Sequence, residues 1–298
     1  MEFKKMIDSV IQGDCLNIMK DIPTQSIDMI LCDLPYGTTQ NKWDSIIPLS
    51  DYIVINGQAM DYDTYLIYSY KNNVKFSDAT KYWNKNKNDG LWSVYKRIIK
   101  PVGVIVLTSN ELFTSQLIST NPKMFKYRWV WEKSKATNFL NAKKQPLRKF
   151  EDVCVFYNKQ CVYNPQMTEG EAYDKGVRKN QLTGSYGDFQ PAHVHSDGKR
   201  YPTDIVYFKT AESEGPVFHA TQKPVELGRY FVKTYTNEGD IVLDNTCGSG
   251  SFLVAAALEK RHYIGIEKNE QVEAFKNGSI DCIEICKNRI ASALKENK

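Results

Sequence analysis

The alternation of apolar and polar positions predicts regular secondary structure in much of the first half of the chain. Short, almost continuously apolar runs rich in Ile, Val and Leu are typical of buried strands. Candidate strands lie at 26–32, 103–108, 125–131 and 152–157. Apolar residues at helical spacing predict helices at 15–20 and 91–100, and Pro101 should end the second of these.

The last part of the chain alternates more regularly. Predicted helices at 224–235, 251–260 and 280–294 are separated by predicted strands at 240–244 and 262–267. Strands and helices that alternate at these lengths form a mostly parallel sheet with helices on both faces. We therefore expect an α/β fold of the Rossmann-like type.

Two segments interrupt this alternation. Residues 45–90 are polar and rich in tyrosine, and residues 158–216 are rich in Gly, Tyr and cations with little periodicity. His193 and His195 alternate as in a strand, which favours a surface strand over a functional pair. We expect both segments to be insertions at an edge of the sheet, where loops often carry function.

Length and composition are those of an ordinary globular protein. The chain has 298 residues, of which 42% are hydrophobic and 25% charged, enough for one large or two small domains. No apolar run approaches the roughly 20 residues that a membrane span needs. The first ten residues lack the features of a signal peptide. We expect a cytoplasmic location and no membrane partner.

The cysteines and histidines favour neither disulfides nor a metal. The seven cysteines are odd in number and scattered, and no CxxC pair occurs. The four histidines do not complete a zinc pattern. Cys282 and Cys286 lie one helical turn apart, which favours a reduced helix face over metal ligation.

The distribution of charge is more informative than the net charge of +4. Residues 121–150 contain nine cations and one acid, Glu132, interleaved with aromatic residues. Such a segment suits a nucleic-acid backbone, although a solvated basic face is the alternative. Candidate nucleic-acid contacts in it are Lys133, Lys135, Asn138, Lys143, Lys144, Arg148 and Lys149.

Residues 240–269 have the pattern of a cofactor site. A predicted strand ends at Asp244, a turn contains Gly248 and Gly250, and the next predicted strand ends at Glu267. Glycines allow the backbone to approach a ligand, the helix N-terminus offers N–H groups, and the acid can accept bonds from ribose hydroxyls. A strand–turn–helix connection without a ligand remains the alternative.

The turn does not fit a dinucleotide. A dinucleotide site needs Gly or Ala three residues after the second glycine, and this chain has Leu253 there. NAD and FAD are therefore disfavoured. A cofactor with adenosine but no pyrophosphate fits better, and S-adenosylmethionine is our prediction.

These motifs resemble those of the β class of amino-group DNA methyltransferases. Asp33-Leu34-Pro35-Tyr36 is similar to the catalytic motif [DNS]-P-P-[YFW], and residues 244–250 (DNTCGSG) are similar to the cofactor motif D-P-F-x-G-S-G. The catalytic motif precedes the cofactor motif in that class, as it does here. Leu34 departs from the pattern, but the family implies that the first, third and fourth positions carry the chemistry.

Three further stretches are similar to family elements. Residues 12–33 resemble the N-terminal lead-in, which implies that Asp14 contacts the adenine of the cofactor. Residues 219–224 (HATQKP) resemble an element beside its methionine end, and residues 140–157 resemble the segment that leads into the target-base pocket. The implied cofactor-binding residues are Asp14, Asp33, Lys223, Asp244, Thr246, Gly248, Gly250, Glu267 and Lys268.

The resemblance also implies a division of the chain. Residues 1–44 and 91–157 would form the catalytic half of a circularly permuted methyltransferase core, and residues 217–298 the cofactor-binding half. Residues 158–216 would recognise the target sequence, with Arg178 and Lys179 among the DNA contacts. Residues 45–90 could be a lid, a DNA contact, a dimer contact or a structural decoration. A homodimer is implied by the resemblance alone.

The expected reaction is methylation of an exocyclic amine. Asp33 and the carbonyl of Pro35 would accept hydrogen bonds from the amine, and Tyr36 would stack on the base. The target atom is unreachable inside duplex DNA, so the base must be flipped out.

The target base itself remains open. Adenine N6 is favoured because the motif begins with Asp, and cytosine N4 is the alternative. Carbon-5 methylation is disfavoured, since no Pro-Cys occurs. A catalytically inactive nucleic-acid-binding protein, or an enzyme acting on RNA or a small molecule, would have the same fold.

Overall fold

The computed structural model describes residues 1–37, 44–178, 191–219, 221–269, 272–273 and 279–296. The strands are β1 (Ser9–Gln12), β2 (Ile27–Cys32), β3 (Ile53–Ile55), β4 (Gln58–Met60), β5 (Ile99–Ser109), β6 (Phe125–Thr137), β7 (Arg148–Phe156), β8 (Thr168–Glu169), β9 (Tyr173–Arg178), β10 (Ala192–Ser196), β11 (Lys199–Arg200), β12 (Ile205–Phe208), β13 (Ile241–Asp244), β14 (His262–Glu267), β15 (Val272–Glu273) and β16 (Ser279–Ile280). The α-helices are α1 (Cys15–Ile18), α2 (Tyr62–Lys71), α3 (Phe76–Asn86), α4 (Leu91–Ile98), α5 (Glu111–Thr120), α6 (Val225–Tyr235), α7 (Ser251–Leu258) and α8 (Cys282–Glu296).

Eight strands form the central sheet, in the spatial order β1-β14-β13-β2-β5-β7-β6-β12. Strand β7 runs antiparallel to both of its neighbours, and the other adjacent pairs are parallel. The carboxyl ends of the parallel strands and the amino end of β7 therefore meet at one edge of the sheet. The predicted mostly parallel α/β fold is confirmed.

Helices cover both faces because the central strands are apolar on both sides. In β2, Ile30 and Cys32 pack into a core that includes α4 and α5. Their neighbours Met29 and Leu31 pack on the opposite face with residues of α6 and α7. The near-continuous apolar run that predicted this strand thus reflects burial on both faces.

Element ends differ slightly from the predictions. The helix predicted at 91–100 ends at Ile98, and β5 begins at Ile99 and includes Pro101. Proline disfavours helical backbone at the residue before it, so Lys100 is already extended. The final helix begins at Cys282 rather than at residue 280.

The two interrupting segments contain secondary structure of their own. Within 45–90, the hairpin of β3 and β4 packs with α2 and α3 around the small core of Ile53, Tyr65, Ala79 and Trp83. The segment 158–216 contains the two-stranded ladders β8–β11 and β9–β10. Its last strand, β12, pairs with β6, so the central sheet resumes before residue 217.

All seven cysteines are buried thiols. The described residues contain no group of three or more His, Cys, Asp or Glu side chains placed to hold a metal ion. Among the described helices, none combines the length and apolar composition that a membrane crossing requires.

Candidate active site

A cavity of about 1080 Å³ opens at the edge where the carboxyl ends of the parallel strands meet. Its walls include Asp14 after β1, Asp33 after β2, Asn110 after β5, Asp244 at the end of β13 and Glu267 at the end of β14. Acidic and polar side chains collect there because each follows a buried strand of the same sheet. All the predicted catalytic residues line this cavity, as do all the predicted cofactor residues except Gly250.

Asp33 is held by contacts from three parts of the chain. Its Oδ1 atom accepts a hydrogen bond from the Tyr36 hydroxyl at 2.7 Å and one from Thr108 Oγ1 on the neighbouring β5. Its backbone carbonyl accepts a bond from Thr246 Oγ1 at 3.1 Å. The carboxylate is therefore fixed in direction, with the cofactor motif attached directly to the catalytic motif.

Lys223 lies between two carboxylates. Its Nζ atom is 2.8 Å from Asp33 Oδ2 and 3.2 Å from Glu151 Oε2, and the side chain is only 8% exposed. Burial alone would lower the pKa of Lys223, but Asp33 and Glu151 together raise it above its ordinary value. The lysine is therefore a buried, permanently charged ammonium that orients both acids.

Tyr36 presents its hydroxyl to Asp33 and its ring to the cavity. The ring centroid lies 5.2 Å from that of Phe113 and 5.5 Å from the Lys223 Nζ atom. Desolvation and the negative charges of Asp33 and Glu151 raise the pKa of Tyr36 well above its usual range. The phenol therefore stays protonated and remains a donor to Asp33.

The glycine turn is hydrogen-bonded to Glu267, the acid at the end of the next strand, β14. The Gly248 N–H donates to Glu267 Oε2 at 2.9 Å, and the Asn269 N–H donates to Oε1 at 2.9 Å. Gly248 has a φ of +50°, and open space lies where a Cβ atom would be. The turn thus exposes its backbone to the cavity, while the N–H groups of Gly248 and Asn269 together orient Glu267.

Gly250, also predicted to bind the cofactor, packs against the final helix. Its φ is +81°, and a Cβ atom there would collide with the Cys286 side chain of α8. The neighbouring Ser249 is joined to α8 as well, since Arg289 Nη1 donates to its carbonyl at 2.7 Å. Gly250 therefore permits close packing of α8 against the turn, and it does not line the cavity.

Asp244 and Asn245 lie buried below the turn. Burial raises the pKa of Asp244 to about 8, despite the hydrogen bond from the Thr246 N–H. Asn245 Oδ1 accepts bonds from the Tyr95 hydroxyl at 2.6 Å and from the Cys32 thiol at 3.0 Å. Asn245 Nδ2 is buried and has no hydrogen-bond partner among the residues the structure describes.

Asp14 and Lys268 complete the wall beyond Glu267. Asp14 is the N-cap of α1, where its Oδ1 atom accepts a bond from the Asn17 N–H at 3.0 Å. Tyr52 and Ile46, from the start of the segment 45–90, line the cavity as well. This segment was not predicted to contribute to the cofactor site.

The predicted nucleic-acid residues divide into three groups. Lys133 is 5% exposed and its Nζ atom is 3.3 Å from Glu151 Oε1, so its buried position does not suit a phosphate contact. Arg148 and Lys149 are ion-paired at 2.7 Å with Glu111 and Glu132 respectively. Three further lysines are exposed and form no ion pair among the described residues: Lys135, Lys143 and Lys144.

Of the remaining predicted contacts, Asn138 and Arg178 do not line the cavity. Asn138 has left-handed backbone, with a φ of 69°, and shapes the turn between β6 and β7. Arg178 contributes its backbone to the ladder β9–β10, which is separate from the central sheet. Lys179 lies outside the described residues.

Sequence reasoning missed Thr108, Glu151, Gln222 and Asn245. Thr108 contacts Asp33 only because β5 lies beside β2, and Glu151 approaches Lys223 only because β7 is reversed. Neither residue belongs to a local motif. The position of Thr108 near the end of a predicted strand was the one available signal for it.

The chain matches established protein families over most of its length. Residues 27–277 match the N6/N4 methyltransferase model, described as DNA methylase. The type II methyltransferase M.HindIII of Haemophilus influenzae is 24% identical over 302 aligned residues, which cover 90% of this chain and 93% of that protein. M2.MboI of Moraxella bovis is 23% identical, with coverage of 97% and 93%.

Solved structures share the fold. The M1.HpyAVI–SAM complex superimposes with a TM-score of 0.54 at 16% identity, covering 95% of this chain and 98% of that one. The cytosine-N4-specific PvuII DNA methyltransferase gives a TM-score of 0.54 at 14% identity, with coverage of 96% and 92%. The match over residues 27–277 shows that the chain belongs to the N6/N4 DNA methylase family, whose members methylate an amino group of adenine or cytosine in DNA.

Proposed function

We propose that the protein methylates the N6 amino group of adenine in duplex DNA, using the cavity at the carboxyl edge of the sheet. The observation that carries this proposal is the fixed Asp33 carboxylate, which lies between the glycine turn and the basic hairpin of β6 and β7. S-adenosylmethionine, the methyl donor of this family, supplies an electrophilic methyl group when it is bound.

The cavity suits that donor. Glu267 can accept bonds from ribose hydroxyls while its two backbone donors hold it in place, and Asp14 lies at the same edge for the adenine. The open space at Gly248 allows close approach of a ligand to the backbone. Lys223 provides a positive charge for the carboxylate of the donor. Asn245 Nδ2 is a buried hydrogen-bond donor that lacks a partner within the described part of the chain.

Asp33 and Pro35 would bind the two N–H groups of the target amine. An ionised carboxylate has about four lone-pair positions, so Asp33 can accept another bond beside those from Tyr36, Thr108 and Lys223. Each hydrogen bond to a charged group contributes about 1.5–3 kcal/mol. These bonds direct the nitrogen lone pair toward the methyl group, and positioning supplies most of the acceleration. The amine gains the methyl group and then loses a proton, and S-adenosylhomocysteine is the other product, so no covalent enzyme intermediate is required.

Tyr36 and Lys223 would complete the base pocket. The Tyr36 ring faces the cavity and is oriented by its hydroxyl bond to Asp33, so a flipped-out base can stack on it. Base stacking on an aromatic ring is worth roughly 1–3 kcal/mol. Lys223 balances the charge of Asp33 and Glu151 and so prevents two buried carboxylates from repelling one another.

The choice of adenine rests on the motif and not on the shape of the cavity. The catalytic motif of the chain begins with Asp33, and cytosine-N4 enzymes of this family more often begin with Ser. Cytosine N4 remains the second candidate because the same acceptors serve either amine. An inactive nucleic-acid-binding protein is disfavoured because Asp33, Tyr36, Lys223 and the glycine turn are all held in contact.

The two inserted segments have proposed roles that fit this function. Residues 158–216 are our candidate for reading the DNA sequence, with exposed Lys199 and the adjacent Arg200 in the ladder β8–β11. The start of the 45–90 segment supports a covering role at the cofactor end, since Tyr52 and Ile46 line the cavity. A homodimer stays a prediction from the family resemblance.

Identification of the methylated nucleoside tests the proposal. The purified protein is incubated with S-adenosylmethionine and mixed-sequence duplex DNA, and the digested nucleosides are separated and weighed by mass spectrometry. N6-methyldeoxyadenosine is the expected product. N4-methyldeoxycytidine would overturn the choice of base, and the absence of either product on DNA would overturn the proposed function.

A further inference from the structure

The loop between β6 and β7 exposes two large apolar side chains. We call residues 138–147 the hairpin tip. Phe139 is 75% exposed and Leu140 is 84% exposed, and they are adjacent in the chain. Neighbouring exposed apolar side chains of this size mark interaction sites more often than chance placement.

The backbone conformation of the hairpin tip keeps Phe139 and Leu140 exposed. Asn138 adopts left-handed backbone and its Oδ1 atom accepts a bond from Asn141 Nδ2 at 2.7 Å. The Asn141 carbonyl in turn accepts a bond from the Lys144 N–H at 2.8 Å. A short 3₁₀ turn, Phe139–Asn141, is fixed by these contacts. The apolar side chains are therefore held outward by an ordered turn.

The tip lies at the rim of the active-site cavity. Both strands that support it contribute to the cavity wall, through Lys133 and Thr137 on one side and Arg148 and Phe150 on the other. Strand β6 is oriented like β2, so its carboxyl end reaches the same edge of the sheet as Asp33. A base entering the cavity would pass this rim.

The charge around the tip suits a polyanion. Residues 133–150 contain six cations and no acid. Lys143 and Lys144, within the tip, form no ion pair with any residue the structure describes. Duplex DNA offers phosphates to such cations and stacked bases to apolar side chains, whereas a protein surface would need acidic and apolar groups at the same spacing. The combination favours DNA as the partner.

We propose that Phe139 and Leu140 enter the DNA base stack beside the target base, while Lys143 and Lys144 contact the flanking phosphates. Apolar wedges of this kind separate base steps in other DNA-binding proteins. Occupying the space that the target base leaves would stabilise its flipped-out state. The inference rests on the proposed DNA methylation and adds to it the surface that opens the duplex.

A substrate whose target base is already unpaired tests the wedge. Sequencing of genomic DNA methylated by the wild type first gives the recognition site. Two oligonucleotide duplexes then carry that site, one fully paired and one with an abasic position opposite the target base. We expect Phe139→Ala/Leu140→Ala to lower kcat/KM about tenfold or more on the paired duplex, and to stay within about threefold of wild type on the abasic duplex.

Val102→Ala is the control, because Val102 is 51% exposed near the start of β5, at the opposite edge of the sheet from the cavity. It should leave both rates unchanged. Equal losses of the double variant on both duplexes, no loss on either, or a change in oligomeric state with unchanged rates would overturn the wedge. A wild-type protein that methylates no DNA would instead overturn the proposed function, which separates the two failures.

Discussion

At the level of single residues, Asp33, the proposed catalytic carboxylate, is one part of a largely buried charge cluster. Asp33 and Glu151 share the Lys223 ammonium, and Thr108 and Tyr36 hold the other Asp33 oxygen. Breaking a buried pair by removing one partner is costly, because an uncompensated charge remains. The geometry of Asp33 therefore depends also on Thr108 and Glu151, which belong to neither the catalytic nor the cofactor motif.

Glu151→Gln tests this dependence. Without the Glu151 charge, Lys223 is held by Asp33 alone and draws that carboxylate away from the amine. We expect kcat to fall about tenfold or more, since a hydrogen bond to a charged group is worth about 1.5–3 kcal/mol. KM for S-adenosylmethionine should change by less than about threefold.

Glu132→Gln is the control for Glu151→Gln. Glu132 pairs with Lys149 on the same hairpin, but that pair is largely exposed and should contribute little. Similar kcat values for the two variants would show that the buried cluster does not position Asp33.

Asp244 gives the protein a pH-dependent stability. Its pKa in the folded state, about 8, is above the ordinary value of 3.8, so folding favours the protonated form. The stability it contributes is complete below about pH 4 and is lost as the pH rises toward 8. Asp244→Asn does not titrate, so the variant should gain roughly 1 kcal/mol per pH unit relative to wild type between about pH 5 and pH 7. Urea denaturation without cofactor measures this, and parallel curves for the two proteins would contradict it.

Single residues were predictable where the motif is local. Asp33, Pro35, Tyr36 and Glu267 were predicted from short sequence patterns, and each lines the cavity. Thr108 and Glu151 were not predictable, because strand order alone brings them to Asp33 and Lys223. Lys133 looks like its neighbouring cations in the sequence, and only its burial beside Glu151 distinguishes it.

At the level of elements, the two glycines of the turn serve different purposes: one leaves space at the cavity, and the other allows close packing of α8. Gly248 faces open space at the cavity, and Gly250 packs against Cys286 of α8. Both have left-handed backbone, so alanine at either position strains the turn. The two positions should nevertheless respond differently to substitution.

Gly250→Ala should mainly reduce stability, and Gly248→Ala should mainly reduce cofactor affinity. Overpacking against Cys286 adds about 1–3 kcal/mol to the backbone strain, so Gly250→Ala should have the lower Tm. Gly248→Ala adds a methyl group where the ligand approaches. Thermal unfolding and calorimetric titration with S-adenosylmethionine check both effects, and the reverse ranking of the two variants would contradict this account.

Helices and strands were predictable where the pattern of apolar residues along the chain is clear. The apolar runs that predicted β2, β5, β13 and β14 arise because these strands are buried on both faces. Helices α2 and α3 were not predicted, since tyrosines and lysines obscure their apolar face. The edge strand β12 was missed because only Val206 of its four residues is buried.

At the level of the whole molecule, strand order assembles one site from distant motifs. Strand β13, late in the chain, pairs with β2, near its start. Thr246 consequently donates to the backbone of Asp33 across 213 positions of sequence. The pairing of β13 with β2 therefore brings the cofactor motif to the catalytic motif, although the two lie far apart in the sequence.

In the proposed function, Asp33 directs methyl transfer from S-adenosylmethionine to a DNA amine. Transfer of a labelled methyl group to duplex DNA tests this role, with wild type, Asp33→Ala and the exposed control Asp63→Ala compared. We predict labelled DNA with wild type and Asp63→Ala, and a loss of about a hundredfold or more with Asp33→Ala, while its affinity for S-adenosylmethionine stays within about tenfold. Wild-type rates of transfer by Asp33→Ala would contradict the account.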